Sequence, residues 1–218
     1  MPKPGWTLAR HFAEIITGPD DQDIAMLLVG HKGTGKSGSS LSLCTSIAYE
    51  IAKINGGKWT DYFSLSNIAI IEPQAANDLI ENMEENNVYL YDDIGLGWNA
   101  RKFGSQENIQ KNDVFQINRT DRCVQIFSVP NQFLLDKVPR SLVSHLAVME
   151  RSNPRNFFRY GMAVMKVYEP ETLFHIGKII YPFIAANQDK FVAYNILSPP
   201  SWMLREYKIR RKEAKARV

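Results

Sequence analysis

Lys36 and Ser37 close the run Gly30-His31-Lys32-Gly33-Thr34-Gly35-Lys36-Ser37, whose spacing is G-x-x-x-x-G-K-[ST]. That spacing suits a phosphate-binding loop. Glycines let successive backbone N–H groups turn inward around a phosphate chain, and a helix that follows adds its unpaired N–H groups and the positive end of its dipole. The lysine ammonium reaches the outer phosphates, and the hydroxyl after it ligates Mg²⁺. The expected nucleotide contacts are therefore Gly30, His31, Lys32, Gly33, Thr34, Gly35, Lys36, Ser37 and Gly38, with Lys36 also serving the chemistry. ATP and Mg²⁺ are the expected ligands.

The run Val88-Tyr89-Leu90-Tyr91-Asp92-Asp93 is the second chemical element: four apolar residues that end in two acids, the Walker B pattern. A strand of this kind places Asp92 beside the loop, where with Ser37 it holds Mg²⁺, through water. Asp93 is then placed to orient or deprotonate the attacking water. Many ATPases have Glu there, one carbon longer. Ser128 ends the next strand pattern, with Asn131 and Gln132 just beyond it; Ser128 fits the position of a polar sensor of the γ-phosphate, and Asn131 is the alternative. Transfer of a phosphoryl group also needs positive charge. Arg101, Arg119, Arg122 and Arg140 are candidates, with Arg119 and Arg140 taken forward as groups that a neighbouring subunit's ATP could use. The histidines at 11, 31, 145 and 175 have no metal-ligand spacing.

Alternating strands and helices must position these groups. A helix is expected over about 8–17, a strand over 24–29, then the loop, then a helix to about 54 that Asn55-Gly56-Gly57 stops. Strands follow at 67–71, 88–91, 124–128 and 147–150, with helices at about 74–85, 105–119 and 132–142. The alternation predicts an α/β fold with a mostly parallel sheet flanked by helices, and together with the loop it resembles a RecA-like P-loop NTPase core. Residues 160–197 read as a short antiparallel extension, with strands at 161–168 and 179–184, and a helix covers about 201–216. The expected division is one ATPase domain over 1–198, its core at about 24–150, and a basic helix or tail over 199–218.

The 218 residues suffice for one domain with a sizeable core. No run of 18 apolar residues occurs, so no membrane insertion is expected, and Met1–Trp6 lacks the apolar centre of a signal peptide. Cys44 and Cys123 read as buried thiols, and a cytoplasmic location, in a host cell if the protein is viral, is the expectation. Charge is uneven. Residues 205–218 hold seven basic and two acidic side chains, net +5, which leaves 19 basic and 21 acidic elsewhere, net −2. A basic helix on a near-neutral body suits a polyanion, while a solvated helix face is the plainer reading.

The later motifs resemble those of a known group. The run Asp92-Asp93-Ile94-Gly95-Leu96-Gly97-Trp98-Asn99-Ala100-Arg101, the segment Gln116-Ile117-Asn118-Arg119, and the stretch from Ser128-Val129-Pro130-Asn131 to Val138-Pro139-Arg140 are similar to small FtsK–HerA superfamily ATPases of archaea, plasmids and viruses. Zot-like and genome-packaging ATPases belong to that group. The order of elements also resembles the division of P-loop ATPases with an extra strand between the P-loop and Walker B strands. Asp93 in place of Glu, and Ser128-Val129-Pro130 where translocases often have Gln, depart from the pattern. The resemblance implies an ATP-hydrolysing motor on double-stranded DNA, built as a homo-oligomeric ring, a hexamer in the family's manner, with a capsid or portal partner. The alternative is a helicase-loader or replication-associated ATPase, a nucleotide-gated adaptor with a protein partner. A plain nucleotide switch or kinase is a third reading.

Overall fold

A computed structural model describes residues 7–71, 73–93, 122–134, 142–150, 163–173, 178–180, 182, 185–186, 189–190, 194–196 and 199–217. The first helix, α1 (Leu8–Ile16), starts where the Thr7 side chain accepts from the Arg10 backbone N–H at 3.1 Å. An N-cap of this type satisfies one of the donors that a helix start leaves unpaired. Its inner face (Leu8, Phe12 and Ile16, with Ala9 and Ala13) is buried against the P-loop helix side of the sheet. Each large apolar side chain so buried contributes about 2 kcal/mol.

The strand β1 (Ile24–Val29) then enters the middle of the molecule. Its unbroken apolar run is what a parallel strand covered on both faces requires. The helix α2 (Lys36–Asn55) leaves the loop and buries Leu41, Cys44, Ile47, Ala48 and Ile51 along one side. It ends at Gly56, whose φ of 86° lies in the region that favours glycine. A short helix α3 (Trp59–Tyr62) leads to β2 (Ile68–Ile70), and α4 (Pro73–Glu81) leads to β3 (Val88–Asp92). The strands β4 (Val124–Val129) and β5 (His145–Glu150) complete the parallel part.

Beyond them, β6 (Ala163–Tyr168) pairs antiparallel with β5, and β11 (Tyr194–Ile196) pairs antiparallel with β6. Between these, β7 (Glu171–Leu173) and β8 (Lys178–Ile180) form one small antiparallel ladder, and β9 (Ala185–Ala186) and β10 (Asp189–Lys190) another. The helix α5 (Ser201–Arg217) follows. The seven-stranded sheet has the order β11-β6-β5-β1-β4-β3-β2. β1 therefore lies between β4 and β5, and β4 separates β1 from β3, all in parallel. This is the expected mostly parallel α/β sheet with an antiparallel extension.

The differences from expectation are local. β2 stops at Ile70 because Ile71 turns into the left-handed region at φ 63°, where its N–H donates to the Asp92 carbonyl at 3.0 Å. α4 ends at Glu81, four residues early. β5 begins at His145, two residues early, and β7, β9, β10 and β11 were not expected at all. Strands of two or three residues carry too little alternation to be read as strands. The expected helix over 105–119 lies outside the described residues, and so does most of the one over 132–142, of which a 3₁₀ turn at Gln132–Leu134 is seen.

Candidate nucleotide-binding site

The loop hangs between the C-terminal end of β1 and the start of α2. Gly35 takes φ 86°, as does Gly33, a conformation that costs any other common residue energy. Gly30 is needed for a different reason: a Cβ there would stand 2.8 Å from Met149 Cβ and 2.9 Å from Thr34 Oγ1. The Thr34 hydroxyl donates to the His31 carbonyl at 2.9 Å and tightens the turn. No side chain caps α2, so its first N–H groups face the loop, as an anion site requires. His31, Lys32 and Gly33 are exposed, whereas Thr34 and Lys36 are buried. Lys36 Nζ donates to the Gly30 carbonyl at 2.6 Å and the His31 carbonyl at 3.3 Å, so the ammonium lies within the curl of the loop. Burial lowers its pKa, and the nearby Asp93 and Asp92 oppose that shift.

The sheet brings the acids to this point. β3 runs beside β4 with Asp92 opposite Ser128, and β4 runs beside β1 with Ser128 opposite Leu28. Asp92 thereby reaches the first turn of α2, where Ser37 Oγ donates to its carboxylate at 3.1 Å to Oδ2 and 3.3 Å to Oδ1. Asp92 is fully buried, and that burial raises its pKa, against which a hydrogen bond from Tyr207 acts. Hydroxyl and carboxylate oxygens are the donors that Mg²⁺ takes, so Ser37 and Asp92 fit the ion. Asp93 follows at φ 56°, a sparsely populated conformation for a residue with a Cβ and one that clusters at functional sites.

Ser128 lies inside this group. Its Oγ is buried and has no partner in bonding geometry, yet it is near enough to Asp92 to favour the charged carboxylate slightly. Asn131 lies elsewhere: it is exposed, and its Oδ1 accepts from the Phe133 N–H at 3.0 Å, which starts the 3₁₀ turn. Arg122 is at the far end of β4, where it donates to the carbonyls of Ile16 (3.3 Å) and Gly18 (2.6 Å) and anchors the end of α1. It is a structural arginine, not a site residue. Gly38 is in the first turn of α2, whereas Arg101, Arg119, Arg140 and the run 94–100 after Walker B, with Trp98, lie outside the described residues. Before β2, Phe63 is buried in the core and Trp59 packs at its edge.

Two residues of the site were not anticipated. From α5, the Tyr207 hydroxyl donates to Asp92 Oδ2, and Arg211 donates through a terminal guanidinium nitrogen to Asp93 Oδ2. Arg211 Nε stands 3.9 Å from Asp92 Oδ2. The available signal was the stripe Met203, Tyr207, Arg211, Ala214, which has helical spacing within an otherwise charged segment.

A glycine loop between a central strand and a helix, faced by acids from a strand one removed, defines a P-loop nucleotide-binding domain. No protein-family model matches the chain, and no curated protein matches it. Solved structures similar to it include the genome packaging NTPase B204 from Sulfolobus turreted icosahedral virus 2 in complex with ATP-gammaS, at 12% identity and a TM-score of 0.40, covering 74% of this chain and 96% of that one. The N-terminal domain of zonular occludens toxin from Neisseria meningitidis is 17% identical, with a TM-score of 0.41 over 77% of this chain and 97% of that one. The KaiC-like protein PH0186 from Pyrococcus horikoshii OT3 is 14% identical, with a TM-score of 0.37 over 75% and 90%. At such scores the site's chemistry rests on its own geometry. Among the described residues no helix is long and apolar enough to cross a membrane, and no His/Cys/Asp/Glu group is set to hold a metal ion by itself.

Proposed function

We propose that the protein hydrolyses ATP with Mg²⁺ and uses the turnover to move double-stranded DNA, as part of a homo-oligomeric ring. The observation that carries the nucleotide chemistry is the meeting of Ser37 with Asp92 at 3.1 Å beside the buried Lys36. Loop N–H groups and Lys36 hold the phosphates, and Asp93 takes the proton from the attacking water as its oxygen bonds to the γ-phosphorus and the bond to ADP breaks. Ser37, and Asp92 through water, would hold Mg²⁺, which would neutralise charge at the phosphates. Ser128 is the residue assigned as polar sensor, and Asn131, exposed at its turn, is given no role. Arg119 or Arg140 of a neighbouring subunit remains the proposed source of transition-state positive charge.

The DNA step is supported by the basic character of α5, which exposes Arg205, Lys208, Lys212 and Lys215. Contacts from such side chains go to phosphates, so binding is sequence-tolerant and weakens with salt. The second reading, a nucleotide-gated adaptor such as a helicase loader, is favoured by the contacts that α5 makes to both acids, since they would let nucleotide state alter a surface element. The deciding experiment is steady-state ATP hydrolysis at low salt with and without long duplex DNA, beside a Lys36→Ala control. Stimulation by duplex DNA that the control loses supports the motor. Hydrolysis indifferent to duplex DNA supports the adaptor.

A further inference from the structure

α5 carries two faces with different chemistry. Its inner stripe is Met203, Tyr207, Arg211 and Ala214, of which Met203, Tyr207 and Ala214 are buried. Met203 Sδ accepts from Thr45 Oγ1 at 3.5 Å, which seats the helix on α2, and the Trp202 ring lies 6.1 Å from that of Trp59. Arg210 donates to the Leu65 carbonyl at 2.8 Å. The helix is thus a docked part of the domain. Its outer face exposes Arg205, Lys208, Lys212 and Lys215.

The inner stripe occupies the oxygens that hydrolysis needs. Asp92 has two carboxylate oxygens, and Ser37 and Tyr207 both donate to Oδ2. Asp93 gives Oδ2 to Arg211. A carboxylate oxygen already engaged by a guanidinium does not face the water it would have to receive a proton from. A carboxylate oxygen that accepts from a phenol is also less available to a water on a metal ion. Docked α5 and the working site therefore compete for the same atoms.

We propose that α5 is a latch that holds Asp92 and Asp93 out of use, and that duplex DNA favours its release because Arg211, once free of Asp93, joins Arg205, Lys208, Lys212 and Lys215 in meeting phosphates. This rests on the hydrolytic reading given above and deepens it by naming what couples DNA to the site. Because only the undocked fraction is competent, docking scales the rate down by that fraction. Release needs Tyr207 to leave Asp92 and Arg211 to leave Asp93 together, since they stand about one turn apart on one helix face.

Hydrogen exchange of the full chain tests this without any turnover. Backbone N–H groups of 201–217 should exchange faster when long duplex DNA is added at low salt, and a variant with Arg205, Lys208, Lys212 and Lys215 all changed to Gln should lose that response. Unchanged or slower exchange in the wild type overturns the latch, whether or not ATP is hydrolysed, so its failure is separable from failure of the hydrolytic reading. In hydrolysis, Tyr207→Phe and Arg211→Ala should each raise the DNA-free rate, by about tenfold if about a tenth of the molecules are undocked at rest, and should flatten DNA stimulation. A lower DNA-free rate in both variants, with thermal unfolding unchanged, overturns the latch and makes the pair supports of the acids instead.

Discussion

Ser37 and Asp92 are 55 positions apart, and the Ser37 hydroxyl reaches the Asp92 carboxylate at 3.1 Å. One belongs to the first turn of α2 and the other is the last residue of β3, so this contact joins the loop to the Walker B strand. The contact forms because β4 spaces β3 from β1 at a fixed register, with Asp92 opposite Ser128 and Ser128 opposite Leu28.

Lys36→Ala should abolish hydrolysis and weaken nucleotide binding by tenfold or more, about 1.4 kcal/mol or above. Asp93→Ala should retain binding and stop turnover. Titration with a fluorescent ATP analogue, beside phosphate release, separates the two. Equal binding losses in both variants would contradict the division of roles.

Gly30→Ala should displace the loop. The added Cβ meets Met149 Cβ at 2.8 Å, an atom fixed to the backbone that cannot swing aside. Overpacking of this kind costs about 1–3 kcal/mol. Urea unfolding should show that loss together with reduced nucleotide affinity, and an unchanged midpoint would count against the close approach.

Arg122→Ala should destabilise the fold by about 1–3 kcal/mol through the freed carbonyls of Ile16 and Gly18, and leave the hydrolysis rate of the folded fraction as it was. A large fall in rate without a fall in stability would put Arg122 back among the site residues.

His145 predicts acid sensitivity. Its ring packs edge-on to Phe12 at 4.7 Å, Nδ1 is 2.9 Å from Ser144 Oγ, and burial, aided by the facing His11, pushes its pKa from 6.5 to about 4. With a depressed folded pKa, the unfolded chain takes up the proton first as pH falls. Full stability is therefore present above pH 6.5 and declines as pH falls toward 4, by about 2 kcal/mol between pH 7.5 and 5. Denaturant midpoints across that range check it, and His145→Asn should flatten the slope.

Much of this was legible because it is local. The loop spacing, the apolar runs of β1, β3 and β4, and the Gly56 stop are each contained within a few residues. The partnership of β11 with β6 was not, because Tyr194–Ile196 has only three residues in which to alternate. Ser128 and Asn131 looked alike in sequence, three positions apart after one strand, and only the register showed Ser128 buried beside Asp92 and Asn131 spent on a turn. Tyr207 and Arg211 were hidden for a stronger reason. Their contacts span 115 and 118 positions, and a tyrosine in a basic helix gives no hint of which acid it will meet.

The place of β1 in the sheet has a mechanical consequence. The strand is flanked on both sides by parallel neighbours, with six register pairs to β4 and four to β5. A pull on the loop along the strand axis loads both ladders in shear, so many hydrogen bonds resist at once and none can open first like a zip. The phosphate grip is thereby firmly anchored, while α5, seated through its side chains, is held without a ladder of this kind. Any stroke that follows a change at the γ-phosphate would be felt as displacement of the helix against an anchored loop.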